Sequence, residues 1–497
     1  MVEKLKTLRM LPLLALAFIV ALAGCASGGK TASSGGNSSN EENVELTLAM
    51  MFSTNSDDIK LVEGEINKIT KEKINATVNL LPIGGAAWQQ QTNLMMTGNE
   101  KLDLLVTFGG MGYGTQAVKG QIIPLDDLLV SHGQGILDVV PEHMLEATKI
   151  KGITYGVPSI KDWATDYGFL MRKDLVEKYN IDLSQVETFE DLGPVFQTIK
   201  ENEPSMNVIA NTKLVTPAGR ISDHYFDTLG DALGVVAMNG DGNVENMFEN
   251  PDYKGSIELV REWFQAGYII KDAATSDETM ENIVKAGKGF GFFSHMKPGY
   301  ESQQSRLTGY EMVAVRLADA ILPTTRATSM MMSIPRNSKY PEKAMELMNL
   351  LYTDADIMNL IANGIEGKHY IVKDEGVIAK PEGLIESGYT FGAWQIGNNF
   401  LTSPWEENGP DYWEQMKEHN ENATLSPVFG FNFDPDPVKT EIAAATNVLN
   451  QYRAGLETGT LDPEKSLQEF NGKLKASGLD KIIAEKQKQL DEWRSKK

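Results

Sequence analysis

The chemically informative residues of this chain are aromatic rings set among polar side chains. No catalytic signature accompanies them: Gly-x-Ser-x-Gly, P-loop and His-Glu-x-x-His motifs are all absent. The histidines, His132, His143, His224, His295, His369 and His419, have no metal-ligand spacing. With 68 Asp and Glu residues, any pair can be nominated as a glycosidase dyad, so none is singled out. Asp241, Asn243, Glu245 and Glu249 faintly suggest a calcium loop, but Asn246 stands where the sharp turn needs Gly, and the stretch reads as solvated. Phe108–Gly114 (FGGMGYG) invites comparison with a dinucleotide loop. Its spacing fails, because Thr115 occupies the third Gly position, and no cofactor or metal is expected.

The aromatic groups fall in three places. Trp163 and Tyr167 sit beside Lys161 and Asp162; Trp88, Phe108 and Tyr113 lie in loops of the first part of the chain; Trp394 and Trp405 flank Ile396–Phe400. A pyranose ring offers a C–H face that stacks on an aromatic ring, and hydroxyls that need polar partners. Asn55, Lys161, Asp162, Arg220, His224, His295, Lys297, Asn398 and Asn399 are the candidate partners. Trp163 is singled out as a stacking platform, since Lys161, Asp162, Thr165 and Asp166 around it look too polar for a core.

Elements able to position these residues follow from periodicity. Val44–Met51 reads as a strand. Asp57–Lys73 carries Ile59, Val62, Ile66 and Ile69 at helical spacing, and Thr77–Leu81 is the next strand. Trp88–Thr97 is a short helix. Leu102–Phe108, apolar throughout, fits a parallel strand buried on both faces, and Ala117–Leu125 reads as a further strand-like crossing. Gly152–Lys173 is the segment that leaves this first α/β unit, with Pro158 holding Val157 extended. A second unit follows, with helices at Thr188–Asn202 and Tyr253–Ala266, a strand at Lys288–Phe293 and a loop at Ser294–Tyr300. Ala327–Ile334 reads as a strand, and from Val438 the chain is almost wholly helical. Two α/β lobes joined by extended crossings enclose a cleft. Residues at the carboxyl ends of the strands, Phe52–Asn55 and Thr107–Tyr113 among them, are expected to face it.

The ends and the charge add a compartment. Lys4, Lys6 and Arg9 precede an uncharged apolar run, Met10–Ala23, of 14 residues, too short to span a bilayer comfortably. Leu22-Ala-Gly-Cys25 follows, and it looks like a bacterial lipobox whose Cys is diacylated. Cys25 is the single cysteine, so no intrachain disulfide can form. Residues 1–24 therefore read as a signal peptide, and 25–43 as the lipidated Cys with a Gly/Ser/Asn linker. The linker's coil dimension is about 23 Å. Net charge is −22 overall, which disfavours nucleic acid and anionic membranes as main partners.

The lipobox, the linker, Gly98-x-x-x-Leu-Asp-Leu-Leu and Gly152-Ile-Thr-Tyr-Gly-Val-Pro resemble family-1 extracellular solute-binding proteins. Gly430–Pro437 (GFNFDPDP) and Leu479–Trp493 resemble the domain of unknown function that ends the lipoprotein branch of that family. The resemblance implies an α/β, two-lobed periplasmic-binding-protein-like fold of type II, hinge-connected, with a helical C-terminal region. Lobe 1 is expected over 44–155 plus 323–365, and lobe 2 over 156–322 plus 366–497. It implies a non-catalytic monomer that captures a carbohydrate, an oligosaccharide by expectation, for the transmembrane permease subunits of an ABC importer. The lipid would hold it on the outer face of the cytoplasmic membrane. An oligopeptide receptor and a surface glycoside hydrolase are the rival readings.

Overall fold

The computed structural model describes residues 43–52, 57–384 and 388–496. Cys25, the signal peptide, the linker up to Glu42 and Asn55 lie outside the described residues. Among those described, no helix is long and apolar enough to cross a membrane.

Two five-stranded sheets organise the chain. The first runs in the order Ala76–Ile83, Val44–Met51, Leu104–Thr107, Met331–Ser333, Val157–Pro158. Its first three strands are parallel, and Met331–Ser333 is antiparallel to both of its neighbours. Helix Asp57–Ile74 buries Ile59, Val62, Ile66 and Thr70 against it. The buried stripe thus ends on Thr70, with Ile69 at its flank, because spacings of three and four residues hold one face of the helix.

The second sheet runs Thr424–Leu425, Met312–Leu322, Thr165–Arg172, Gly289–Met296, Asn207–Ile209. Every residue of its central strand, Thr165–Arg172, is buried, including Thr165, Asp166 and Arg172. A side chain at Gly168 is impossible: its Cβ would lie 2.0 Å from the Val315 carbonyl oxygen. Strand Met312–Leu322 slips register against this centre at Arg316/Ala318 and at Ala318/Ile321.

Several expectations need correction. Ala117–Leu125 is not a strand: helix Tyr113–Val118 ends there, and Gly120, at φ 62°, turns a backbone that a strand would keep extended. Ala327–Ile334 shrinks to Met331–Ser333, because Thr324–Ala327 forms a helical turn after Pro323. The strand read over Lys288–Phe293 continues to Met296, so the loop expected from Ser294 starts later. The lobe limits differ as well. Val157 pairs within the first sheet, and Ile160, Trp163, Tyr389, Phe391 and Ile396 all belong to the first core, where the sequence reading gave them to lobe 2.

The link between sheets is tied on both sides. Ser159 N donates to Met330 O at 3.0 Å, Ile160 N to Gly397 O at 2.8 Å, and Asn399 N to Ile160 O at 3.0 Å. Helices Lys439–Glu457, Pro463–Ala476 and Leu479–Arg494 complete the second core through Leu456, Phe470, Leu474 and Ile482.

Candidate functional site

The segment Lys161–Ala164 leaves the first lobe, with Lys161 buried and Asp162 half-buried beside it. Asp162 is the hub. Its Oδ2 accepts from Lys297 Nζ at 2.7 Å, and its Oδ1 lies 3.4 Å from Lys161 Nζ. The Arg326 guanidinium closes the cluster by donating to the backbone oxygens of Trp163 at 2.9 Å and Asp162 at 3.0 Å. Asn420 clamps the same segment, donating to Lys161 O at 2.8 Å and accepting from the backbone N–H groups of Trp163 and Ala164, each at 2.9 Å.

The charges respond to burial and to one another. Burial alone would push the Asp162 carboxyl up, but Lys161, Lys297 and Arg326 together hold it below the usual carboxylate range. Burial pushes Lys161 down to about 8, with Asp162 opposing. Lys297 moves the other way. Burial works against its charge, but its bond to Asp162 is the shorter one and prevails.

Over this cluster lies a pocket of about 230 Å³. Lys161, Asp162 and Lys297 line one side; Phe391, Trp394, Trp405, Tyr412 and Trp413 supply an aromatic wall. Both lobes contribute, since Phe391 packs in the first core and Lys297 directly follows the second-sheet strand Gly289–Met296. The Trp413 indole N–H is committed to Thr402 O at 2.6 Å, and its ring lies 5.4 Å from Phe400. Trp394 is 45% exposed and is the open face of the wall.

Of the residues nominated from sequence, the structure brings together Lys161, Asp162, Lys297, Trp394, Asn399 and Trp405. The others sit elsewhere. Trp88 and Phe108 pack edge to face in the first core, their ring centroids 6.1 Å apart. Tyr113 is buried with its hydroxyl on Thr148 O at 2.7 Å. Trp163 is corrected from platform to core residue: it is 5% exposed, and its indole N–H donates to Ser159 O at 2.8 Å. Asn398 is structural, capping Phe400 N at 3.0 Å. Asn399 lines the pocket, while its side-chain amide ties down Ile160 O at 3.0 Å. Arg220 pairs with Asp223 at 2.5 Å. His295 packs 5.7 Å from Tyr300, and burial, with Arg220 nearby, pushes it down to about 3. Tyr167 and His224 are ring neighbours at 6.2 Å in the second lobe.

Sequence reasoning missed Arg326, Asn420, Tyr412 and Trp413. The last two carried a signal, an aromatic pair at the start of helix Tyr412–Glu421. In the Asp241–Glu249 stretch the acidic groups are already engaged. Asp241 accepts from Asn243 N at 2.9 Å, Glu245 from Asn250 at 2.7 Å, and Glu249 pairs with Lys475 at 2.6 Å. Among the described residues no group of three or more metal-ligating side chains occurs.

Two sheet-bearing lobes, linked by paired crossings and sharing a lined pocket, define a binding protein of the periplasmic type. Residues 55–358 match the bacterial extracellular solute-binding protein family, and residues 427–495 match a domain of unknown function, DUF3502. The chain belongs to the bacterial extracellular solute-binding protein family. It is similar to a carbohydrate ABC transporter substrate-binding protein of Streptococcus pneumoniae serotype 4 (strain ATCC BAA-334 / TIGR4). The two are 29% identical over 489 residues, which cover 96% of this chain and 97% of that one. Among solved structures, the N-glycan transport solute binding protein NgtS of S. pneumoniae is 28% identical, with a TM-score of 0.83 over 91% of this chain and all of that one. Structures of NgtS in complex with Man1GlcNAc and Man5GlcNAc give TM-scores of 0.72 and 0.69, over 90% and 91% of this chain and 99% of each of theirs.

Proposed function

We propose that this chain is the substrate-binding component of a carbohydrate ABC importer and takes an oligosaccharide of the N-glycan type. The observation that carries this reading is the aromatic wall of Trp394, Trp405, Tyr412 and Trp413 facing the Lys161–Asp162–Lys297 cluster across one pocket. Sugar C–H faces stack on the rings, and ring hydroxyls exchange water for the charged groups below. Trp394 is half exposed at the pocket, so a stacked ring removes apolar surface from water there.

Motion is part of the proposal. One relative fits this chain at 0.83 where no glycan is named and at 0.72 and 0.69 with glycans bound. That order of fit supports a hinge motion in which glycan binding between the lobes favours a closed form. Delivery to permease subunits, a monomeric state, and a lipid on Cys25 holding the protein at the outer face of the membrane complete the reading.

The test is calorimetric titration with Man1GlcNAc, Man5GlcNAc and a peptide panel, and small-angle scattering of each mixture. Glycan binding with a fall in radius of gyration supports the proposal. Binding of peptides alone, or cleavage of the glycan, overturns it.

A further inference from the structure

Helix Tyr412–Glu421 separates two cavities. Tyr412, Trp413 and Met416 line the aromatic pocket, while Gln415, Glu418 and His419 line a larger space of about 930 Å³ on its other side. The rest of that lining is Asn422, just past the helix, and from the second lobe and the start of its edge strand Asp166, the Glu187 loop, His224 and Tyr225, Met238 and Asn239, the stretch Arg316–Ile321, and Thr424. Its apolar lining residues Tyr225, Met238, Leu317, Ala318 and Ile321 pack on the second core.

One polar atom of a buried lining residue, Asp166 Oδ1, has no hydrogen-bond partner, while the half-buried His224 and His419 engage the backbone of Ile221 and Ala164. An unpartnered buried carboxylate oxygen is rare enough to call for a reason. Asp166 is only 7% exposed, and its other oxygen is held by Arg316 at 3.1 Å. The strand along one wall is also the one with two register shifts, at Arg316/Ala318 and Ala318/Ile321. Its outer edge is paired only at Ile321 and Leu322. Such irregularities recur beside binding sites, where they re-aim side chains.

The lining is rich in acceptors. Asp166, Glu187, Asp319 and Glu418 face a single guanidinium, Arg316, which is already shared between Asp166 and Glu301. A ligand that fits must donate hydrogen bonds and carry no negative charge. Tyr225, Met238, Leu317 and Ile321 add apolar surface. Donor-rich hydroxyls on a ring with an apolar face meet both demands, and the volume lies in the range of small-molecule sites.

We propose that this cavity, between the second sheet and helix Tyr412–Glu421, is a second carbohydrate site selective for neutral over acidic sugars. It rests on the carbohydrate reading for its ligand class.

Three proteins are titrated with Man5GlcNAc, mannose, N-acetylglucosamine and N-acetylneuraminic acid: wild type, Trp394→Ala, and the double variant Asp319→Asn with Glu418→Gln. Both replaced carboxylates are exposed, so the double variant should melt with the wild type. The expected result is two neutral-sugar binding steps in the wild type, of which Trp394→Ala weakens one and leaves the other unchanged. In the double variant a sugar-binding step should weaken about tenfold while the main site is kept, and N-acetylneuraminic acid should not bind. If Trp394→Ala weakens all binding alike and the double variant matches wild type, the second site is overturned and the aromatic pocket stands. If wild type binds none of these sugars, both readings fall. Preference for the acidic sugar overturns the assigned selectivity.

Discussion

The side-chain amide of Asn432 donates to the backbone oxygen of Ala147 at 2.8 Å, tying the start of the tail to the first lobe. Phe429 sits beside it, 5.8 Å from the His143 ring, and Gly430 N donates to Thr324 Oγ1 at 2.8 Å in the second crossing. The remaining tail packs on the second lobe, so these few residues bridge the lobes at the hinge. They do so in a conformation that fits one NgtS structure at a TM-score of 0.83 and the Man1GlcNAc complex at 0.72. Asn432→Ala should therefore shift the unliganded protein toward closure. A net hydrogen bond of about 1 kcal/mol corresponds to roughly a fivefold change in that equilibrium. Scattering without ligand should give a smaller radius, and glycan affinity should rise by a similar factor. If neither moves, the contact persists through closure.

Lys486 Nζ is fully buried and donates to Asp231 Oδ1 at 2.7 Å and to Gly234 O at 2.9 Å. Burial pushes its pKa down while Asp231 resists. Lys486→Met keeps the stem but takes the ammonium from the Gly234 carbonyl and from Asp231, whose Oδ1 retains the Leu233 N–H at 2.7 Å. Full burial of both partners would set the loss at about 3–5 kcal/mol. Asp231 is 31% exposed and can rehydrate, which lowers the expectation to about 1–3 kcal/mol in urea unfolding. An unchanged midpoint would mean that the ammonium's desolvation already cancels its two bonds.

Periodicity carried the elements well where burial had one clear face. Val44–Met51 forms as read, and Asp57–Lys73 extends by a single residue. It failed where a glycine or a Pro-led turn interrupts a short apolar run, as at Gly120 and Thr324. The site was half legible for a related reason. Trp163 looked exposed because Lys161, Asp162 and Asp166 surround it, yet Lys161 and Asp166 are buried, Asp162 is half-buried, and all three are paired. A polar neighbourhood in sequence does not distinguish a solvated loop from a buried ion cluster. Asn420 and Arg326 act from 257 and 163 residues away from Trp163, a relation no local pattern encodes.

Lys161 makes stability depend on pH in a definite direction. Its folded pKa, about 8, lies below the ordinary lysine value, so the unfolded chain binds the proton more tightly. Stability should rise with pH from about 8 toward 10, at a rate approaching 1.4 kcal/mol per unit, and stay flat below 7 as far as this group is concerned. Subtracting the curve of Lys161→Met isolates the contribution. A difference that is constant between pH 7 and 10 would mean that Lys161 keeps its proton in the folded protein.

Leu22-Ala-Gly-Cys25 predicts release of Cys25→Ser from the membrane. Two acyl chains anchor stably where none remains in the variant. Fractionation with a high-salt wash decides it, and retention of the variant in the membrane pellet would show another means of attachment.

Trp163 and Trp394 should separate cleanly when each is replaced by alanine. Trp163 is 5% exposed with its indole N–H satisfied, so Trp163→Ala should cost about 3–5 kcal/mol of stability. Trp394 is 45% exposed over the pocket, so its loss should leave the melt nearly unchanged. Stacking of a base on an aromatic residue, at about 1–3 kcal/mol, is the nearest measured analogue, giving roughly 5- to 150-fold weaker glycan binding. Gly392 supplies an independent handle on the same ring. A Cβ there would lie 2.6 Å from Trp394 Nε1, and the backbone, at φ −81°, accepts alanine without strain. Gly392→Ala must therefore displace the indole and should weaken binding by part of the Trp394→Ala effect, again at constant stability. Titration and melting of the three variants read both quantities. If Gly392→Ala and Trp394→Ala both bind glycan like the wild type, the aromatic wall is not where the sugar rests.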